Sequence, residues 1–245
     1  MTAPYFTGNG VTIYHGDMLD ILPDVTGFDA LITDPPYSSG GAFRGDRTKL
    51  TVDKYVQGGT ATYRPEFAGD TRDQRSFAAW CLLWLNIARQ NANPGAVVAS
   101  FTDWRQLPTL TDAVQMAGWV WRGVAIWHKG FGRAQPGRFS SAAEYVVYGA
   151  TPDTQPNGDY PPGLFHHPIV RDKVHIAEKP LAVMEWVLRY VPQGGTVLDP
   201  FMGSGTTLHA ARNLGLTAIG IESDERYCEA AARRLDQQVL PLWEA

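Results

Sequence analysis

Two short stretches of the 245-residue chain hold residue types whose spacing could carry chemistry. In the first, Asp29-Ala-Leu-Ile-Thr33 reads as a strand and leads without a break into Asp34-Pro35-Pro36-Tyr37. Consecutive prolines fix φ twice and remove two N–H donors, so this turn is rigid and presents acceptors. A conjugated exocyclic amine needs such a setting, because its lone pair is delocalised into the ring and is a poor nucleophile. A carboxylate and a backbone carbonyl, each accepting one N–H, pull the nitrogen toward sp³ and free the lone pair for in-line attack on a methyl sulfonium. Tyr37 adds a face on which a flipped base can stack, a contact worth roughly 1–3 kcal/mol that needs the ring and not the hydroxyl. Taken alone, the tetrapeptide leaves an ordinary Pro-rich turn in contention.

The second stretch, Thr196-Val-Leu-Asp-Pro-Phe-Met-Gly-Ser-Gly-Thr-Thr207, reads as a strand, a Gly-containing turn and a helix start. The strand ends at Asp199, followed by Pro200 and Phe201. Gly203 and Gly205 let the backbone approach a ligand closely, and Ser204 or Thr206 can cap the helix. A second strand, Ala218-Ile-Gly-Ile, ends at Glu222 and Ser223, and a carboxylate at such a tip can accept hydrogen bonds from ribose hydroxyls. A dinucleotide enzyme fits poorly. The third glycine of GxGxxG is missing, and an acid and a Phe occupy the approach to the helix N-terminus where a pyrophosphate would sit. An amino-acid-bearing nucleoside such as S-adenosylmethionine fits better.

These residues need a scaffold that brings strand ends together. Short β-rich apolar runs at Val11–Tyr14, Asp29–Thr33, Ala96–Phe101, Val120–Trp127, Tyr145–Tyr148, Thr196–Leu198 and Ala218–Ile221 alternate with helical-period segments. That alternation predicts a parallel α/β sheet. Phe77, Trp80, Cys81, Trp84, Ile87 and Ala88 recur at helical spacing, as do Leu181, Met184, Leu188 and Val191, with Tyr227, Ala231 and Leu235 marking a last helix. With 44% hydrophobic residues the chain can bury a sizeable core. No run approaches a membrane span, and no basic-then-apolar leader opens the chain, so a cytoplasmic protein is expected. Cys81 and Cys228 sit in apolar helical patterns and read as reduced core thiols.

The net charge of −4 hides a division. Residues 1–34 carry five Asp and no Lys or Arg, whereas residues 121–143 carry Arg122, Lys129, Arg133 and Arg138 and no acid. Residues 41–75 hold seven bases, among them Arg44, Arg47 and Lys49, against five acids. Local basic faces of this kind can attract phosphates on an acidic chain. Residues 38–73 and 149–174 show no sustained period, and long irregular segments beside chemistry are commonly binding loops.

Together the two motifs resemble those of the amino-group DNA methyltransferases, which act on adenine N6 or cytosine N4. With Asp-Pro-Pro-Tyr first and Asp-Pro-Phe-Met-Gly-Ser-Gly last, the order resembles the family's permuted β group. Gly16-Asp17, Ile126-Trp-His-Lys129 with Glu144-Tyr145, and His175-Ile-Ala-Glu-Lys179-Pro extend the resemblance along nearly the whole chain. It implies a Rossmann-like, seven-stranded, mostly parallel sheet with one antiparallel strand, and S-adenosylmethionine as cofactor. By the same resemblance Asp17 and Met18 contact the cofactor's adenine, and His175 and Lys179 help hold its methionine end. Asp34, Asp199, Pro200, Phe201, Gly203, Ser204, Gly205, Thr206, Glu222 and Ser223 complete the cofactor set, and Asp34, Pro35, Pro36 and Tyr37 the catalytic one. The partner implied is double-stranded DNA; a homodimer is left open.

The chain is expected to be one methyltransferase domain without a large separate target-recognition domain. Recognition then falls to residues 38–73 and 130–175, with Arg44, Arg47, Lys49, Lys129, Arg133 and Arg138 facing DNA. Cytosine N4 is the rival base, although the family's cytosine enzymes more often place Ser where this chain has Asp34. A catalytically inactive DNA-binding module is the rival of another class; it could have lost Asp34 or Asp199, and both are present.

Overall fold

The computed structural model describes residues 2–37, 72–130, 132, 136–137, 139–152, 159–168 and 179–236. Nine strands form one sheet: β1 (Phe6–Gly8), β2 (Val11–His15), β3 (Phe28–Thr33), β4 (Ala92–Thr102), β5 (Val120–His128), β6 (Ala143–Ala150), β7 (Leu164–His166), β8 (Thr196–Asp199) and β9 (Thr217–Glu222). Their spatial order is β1-β2-β9-β8-β3-β4-β6-β5-β7. The run β2-β9-β8-β3-β4 is parallel throughout, and β6 lies antiparallel between β4 and β5. All seven expected strands are present, each extended by a residue or more. The sheet is larger than expected, because β1 joins one edge antiparallel and β7 the other edge parallel.

Alternation along the central strands builds two cores. On β3, Ala30 and Ile32 face one side and Leu31 the other; on β8, Val197 and Leu198 divide in the same way. The first side is covered by α4 (Leu181–Leu188), α5 (Thr206–Asn213) and α6 (Glu225–Asp236). The second is covered by α1 (Met18–Ile21), the 3-10 turn Leu22–Asp24, α2 (Gln74–Asn91) and α3 (Leu107–Met116). Strands buried on both faces read as near-continuous apolar runs, which is why Phe28–Thr33 is so hydrophobic. Phe28 and Phe77 are fully buried, each worth about 1.5–3 kcal/mol over exposure. Cys81 and Cys228 are buried and unpaired. No helix among the described residues is long and apolar enough to cross a membrane.

Polar stitching sets the strand register at the sheet's far end. Asp29, at the start of β3, accepts from the Asn93 amide at 2.8 Å and from the Thr196 backbone N–H at 2.9 Å, tying three neighbouring strands. The helix after β8 differs from expectation at its start. Neither Ser204 nor Thr206 caps it; the N-cap is Gly205, left-handed at φ +80, with no side-chain cap bond. A Cβ at Gly205 would lie 2.8 Å from the Ala231 Cβ on α6, so both backbone conformation and helix packing require glycine. Gly205→Ala should therefore destabilise the fold by about 1–3 kcal/mol. Urea unfolding checks this; an unchanged midpoint would show that α5 and α6 do not pack as described.

Candidate active site

Because β2, β9, β8, β3 and β4 run parallel, their C-terminal ends share one rim, where ligands of open α/β sheets bind. Asp34-Pro35-Pro36-Tyr37 leaves β3 there, flanked by the turns after β8 and β4. Asp199 ends β8, Glu222 ends β9, and His15, in register with Glu222, ends β2 just before Asp17. The two motifs, some 160 residues apart in sequence, thus meet on neighbouring strands.

The link between them is a hydrogen bond. Thr33 Oγ1, the last side chain of β3, donates to Asp199 Oδ1 at 2.6 Å, and the Phe201 amide donates to the same oxygen at 3.1 Å. Asp199 is 1% exposed. Burial pushes its carboxyl up to about 6, against the lowering effect of Thr207, Thr33 and the Phe201 amide; the nearby charge of Asp34 adds to the rise. Asp199 thereby holds the start of the turn that follows β8. Phe201 is clamped by α2, with ring centroids 5.0 Å from Trp80 and 5.3 Å from Trp84.

Glu222 organises the neighbouring tip. Its Oε2 accepts from the Gly203 amide at 3.0 Å, and its Oε1 from the Asp224 amide at 2.8 Å and the Ser223 hydroxyl at 3.3 Å. Burial raises its pKa, and these donors offset part of the rise. Gly203 takes φ +52, and a Cβ there would meet nothing within 4 Å, so the turn faces open space at that point. Asp17 is exposed and caps α1, accepting from the Leu19 amide at 2.8 Å, while Gly16 N–H donates to the Glu222 carbonyl at 2.9 Å. Met18, by contrast, packs into the second core, as Ile21 and Leu22 do. Pro200, Ser204 and Thr206 are buried in the turn.

Around Asp34 lies a chain of alternating charges. Lys179 Nζ donates to Asp34 Oδ2 at 2.5 Å and to Glu144 Oε2 at 3.2 Å; Glu144 Oε1 accepts from Lys129 Nζ at 3.1 Å. The Tyr37 hydroxyl donates to Glu144 Oε2 at 3.3 Å. The Lys179 side chain is 7% exposed and those of Glu144 and Lys129 16% each, so water screens these contacts little. Lys179 Nζ also lies 5.2 Å from the Phe101 ring centroid and 5.6 Å from that of Tyr37, within cation–π range. Burial works to strip the Lys179 proton, but Asp34 and Glu144 outweigh it and hold its pKa above the ordinary value. Burial would likewise raise Glu144, yet Lys179 and Lys129 bring its carboxyl down to about 2.

Several expectations change here. Lys179, assigned by resemblance to the methionine end of a cofactor, has its ammonium on Asp34 and Glu144. Lys129, expected to face phosphates, is paired instead with Glu144, which follows directly after the acid-free stretch that suggested the DNA contact. The Tyr37 hydroxyl is anchored as well as its ring. Thr33 and Glu144 were not among the predicted site residues; a Thr closing an apolar strand and an acid in a hairpin opposite a lysine were the available signals. Arg44, Arg47, Lys49, Arg133, Arg138 and His175 lie outside the described residues.

The chain is similar to known DNA methyltransferases. Residues 153–233 match the N6/N4 methyltransferase family model described as DNA methylase. The type II methyltransferase M.ScaI of Streptomyces caespitosus is 26% identical over 286 residues, covering 98% of this chain and 86% of that protein. The crystal structure of an M1.HpyAVI–SAM complex is similar with a TM-score of 0.65 at 25% identity, covering 91% of this chain and 99% of that one. The PvuII DNA methyltransferase, cytosine-N4-specific, is similar with a TM-score of 0.73 over 97% of this chain and 90% of its own; at 16% identity that likeness concerns the fold.

The buried carboxylate predicts an acid-sensitive fold. Glu144 has a folded pKa of about 2 against an ordinary 4.5, so its contribution is fully present above about pH 4.5 and is lost as pH falls toward 2. That window is worth about 3 kcal/mol. Chemical denaturation at stepped pH should show wild type losing about that much more than Glu144→Gln between pH 4.5 and 2. Parallel curves would show that Glu144 is not held as an ion.

Proposed function

We propose that this chain, which is similar to the amino-group DNA methyltransferases, methylates adenine N6 in double-stranded DNA. The observation that carries this is the rigid, acceptor-presenting Asp34-Pro-Pro-Tyr37 turn, whose carboxylate is held by a buried lysine beside the strand tips that carry Asp199 and Glu222. Asp34 in place of Ser supports adenine over cytosine.

The acceptors at the neighbouring strand tips fit S-adenosylmethionine. Glu222, at the tip of β9, would take the ribose hydroxyls. Asp17, exposed at the adjacent tip, would accept from the adenine amino group. The Asp199–Gly205 turn, open at Gly203, would lie along the amino-acid portion. When bound, S-adenosylmethionine supplies an electrophilic methyl group on a positively charged sulfur.

The remaining work is done by the chain's own residues. Asp34 and a proline carbonyl of the turn accept the two N–H bonds of a flipped adenine's amino group, which orients the nitrogen lone pair. Tyr37 stacks on the ring. The nitrogen that gains a methyl must shed one proton, and the Asp34 carboxylate lies on its path. We assign DNA recognition to residues 38–73 and 130–175, with Arg44, Arg47, Lys49, Arg133 and Arg138 as phosphate contacts; Lys129, also expected there, is held on Glu144.

The test is transfer of labelled methyl to duplex DNA followed by nucleoside analysis. Label should appear in N6-methyladenine; label in N4-methylcytosine would change the base and keep the mechanism. Asp34→Ala should cut the rate by two to three decades, roughly 3–4 kcal/mol, with calorimetric affinity for S-adenosylmethionine near wild type. Full activity in Asp34→Ala would overturn the mechanism. Glu222→Ala should weaken cofactor binding about ten- to hundredfold; unchanged affinity would remove Glu222 from the site.

A further inference from the structure

Three polar groups converge on the carboxylate of Glu144, on β6. They are the Lys179 ammonium at 3.2 Å, the Lys129 ammonium at 3.1 Å and the Tyr37 hydroxyl at 3.3 Å. Two of the three lead straight to the proposed catalytic turn: Lys179 to the Asp34 carboxylate, and Tyr37 to the stacking ring. We propose that Glu144 is the positioning residue of methyl transfer, fixing Asp34 through Lys179 and the Tyr37 ring through its hydroxyl. This rests on the amino-methyltransferase function proposed above.

The geometry gives each partner a reason. A lysine side chain is long and has many rotamers, so one contact with Asp34 would leave its ammonium free to wander. A second carboxylate on its far side, with the Phe101 and Tyr37 rings along its flank, confines it to Asp34. Lys129 then offsets the extra negative charge, so the order Asp34, Lys179, Glu144, Lys129 alternates and sums to zero. Neutrality matters because an amine accepting a methyl develops positive charge, and a preorganised anion facing it lowers the barrier. Without the Glu144 charge the cluster becomes net positive beside that developing charge.

The groups facing Lys179, among the described residues, are Asp34 and Tyr37 from the turn after β3 and Glu144 from β6. Lys129 lies beyond Glu144, and Asp199 lies behind Asp34. Removing one of its two anionic partners should let Lys179 lose its proton at lower pH. That gives a readout which a purely structural role would not move.

The experiment is single-turnover methyl transfer to duplex DNA as a function of pH, with cofactor affinity measured by calorimetry. Glu144→Gln keeps the shape and removes the charge. It should slow transfer at least tenfold, change S-adenosylmethionine affinity by less than about twofold, and shift the alkaline limb of the pH–rate profile to lower pH. In a Tyr37→Phe background the same substitution should cost a smaller factor, because one of its routes is already cut. A Glu144→Gln rate within twofold of wild type, or equal losses of affinity and rate with an unmoved alkaline limb, would overturn the proposal. If Glu144→Gln does not fold, Glu144→Gln/Lys129→Gln, which restores neutrality, decides by the same criteria. Wild-type protein that transfers no methyl to DNA would defeat the underlying function; active wild type with an indifferent Glu144 would defeat only this inference.

Discussion

The part-buried ion pair of Lys179 and Asp34 ties the proposed catalytic carboxylate to the rest of the molecule. Burying two charges is expensive, and such a pair adds little net stability over apolar residues of the same size; removing one partner, however, costs about 3–5 kcal/mol. The pair is thus better understood through what it holds in place. Lys179 stands immediately before α4, a helix of the first core, while Asp34 follows the central strand β3. Packing of α4 on the sheet therefore fixes where the ammonium sits, and the ammonium fixes the carboxylate.

A second constraint couples the two halves of the rim. Thr33 and Asp34 are consecutive, and they point to different partners: Thr33 to Asp199 at the end of β8, Asp34 to Lys179. The end of β3 is consequently held from both sides, by a neutral donor to a buried carboxylate and by a charged one. Its double-proline turn has little conformational freedom left to lose, which is the condition under which a hydrogen-bond acceptor can be preorganised. Asp199 shows the cost of that arrangement, since burial raises its pKa to about 6 even though Thr207, Thr33 and the Phe201 amide donate to it.

Much of this was legible in the sequence. The seven central strands announced themselves as apolar runs long enough to show a pattern, and the Asp34 and Asp199–Gly205 motifs carry rare residue combinations whose chemistry can be read directly. The edge strands Phe6–Gly8 and Leu164–His166 escaped notice because three residues show no period. The charge chain escaped for a different reason. Glu144 and Lys179 are 35 positions apart, on β6 and before α4, and only the folded sheet brings them together. The pairing of Lys129 with Glu144 escaped as well, because charge counted along a segment cannot see a partner just beyond the segment's end. Ser204 and Thr206 were sound capping candidates by residue type, but the close approach of α6 made glycine the N-cap instead. Local chemistry was readable; pairings set by tertiary contact were not.

The most direct test is the nucleoside composition of genomic DNA from a methylation-free bacterial host expressing either wild type or Asp34→Asn. Asparagine keeps the size of the side chain and removes the anion on which both Lys179 and the substrate amine depend. Wild type should introduce N6-methyladenine. Asp34→Asn, folded and expressed at the same level, should leave adenine unmodified above background. Equal N6-methyladenine from both, or no modified base from wild type, would contradict the account.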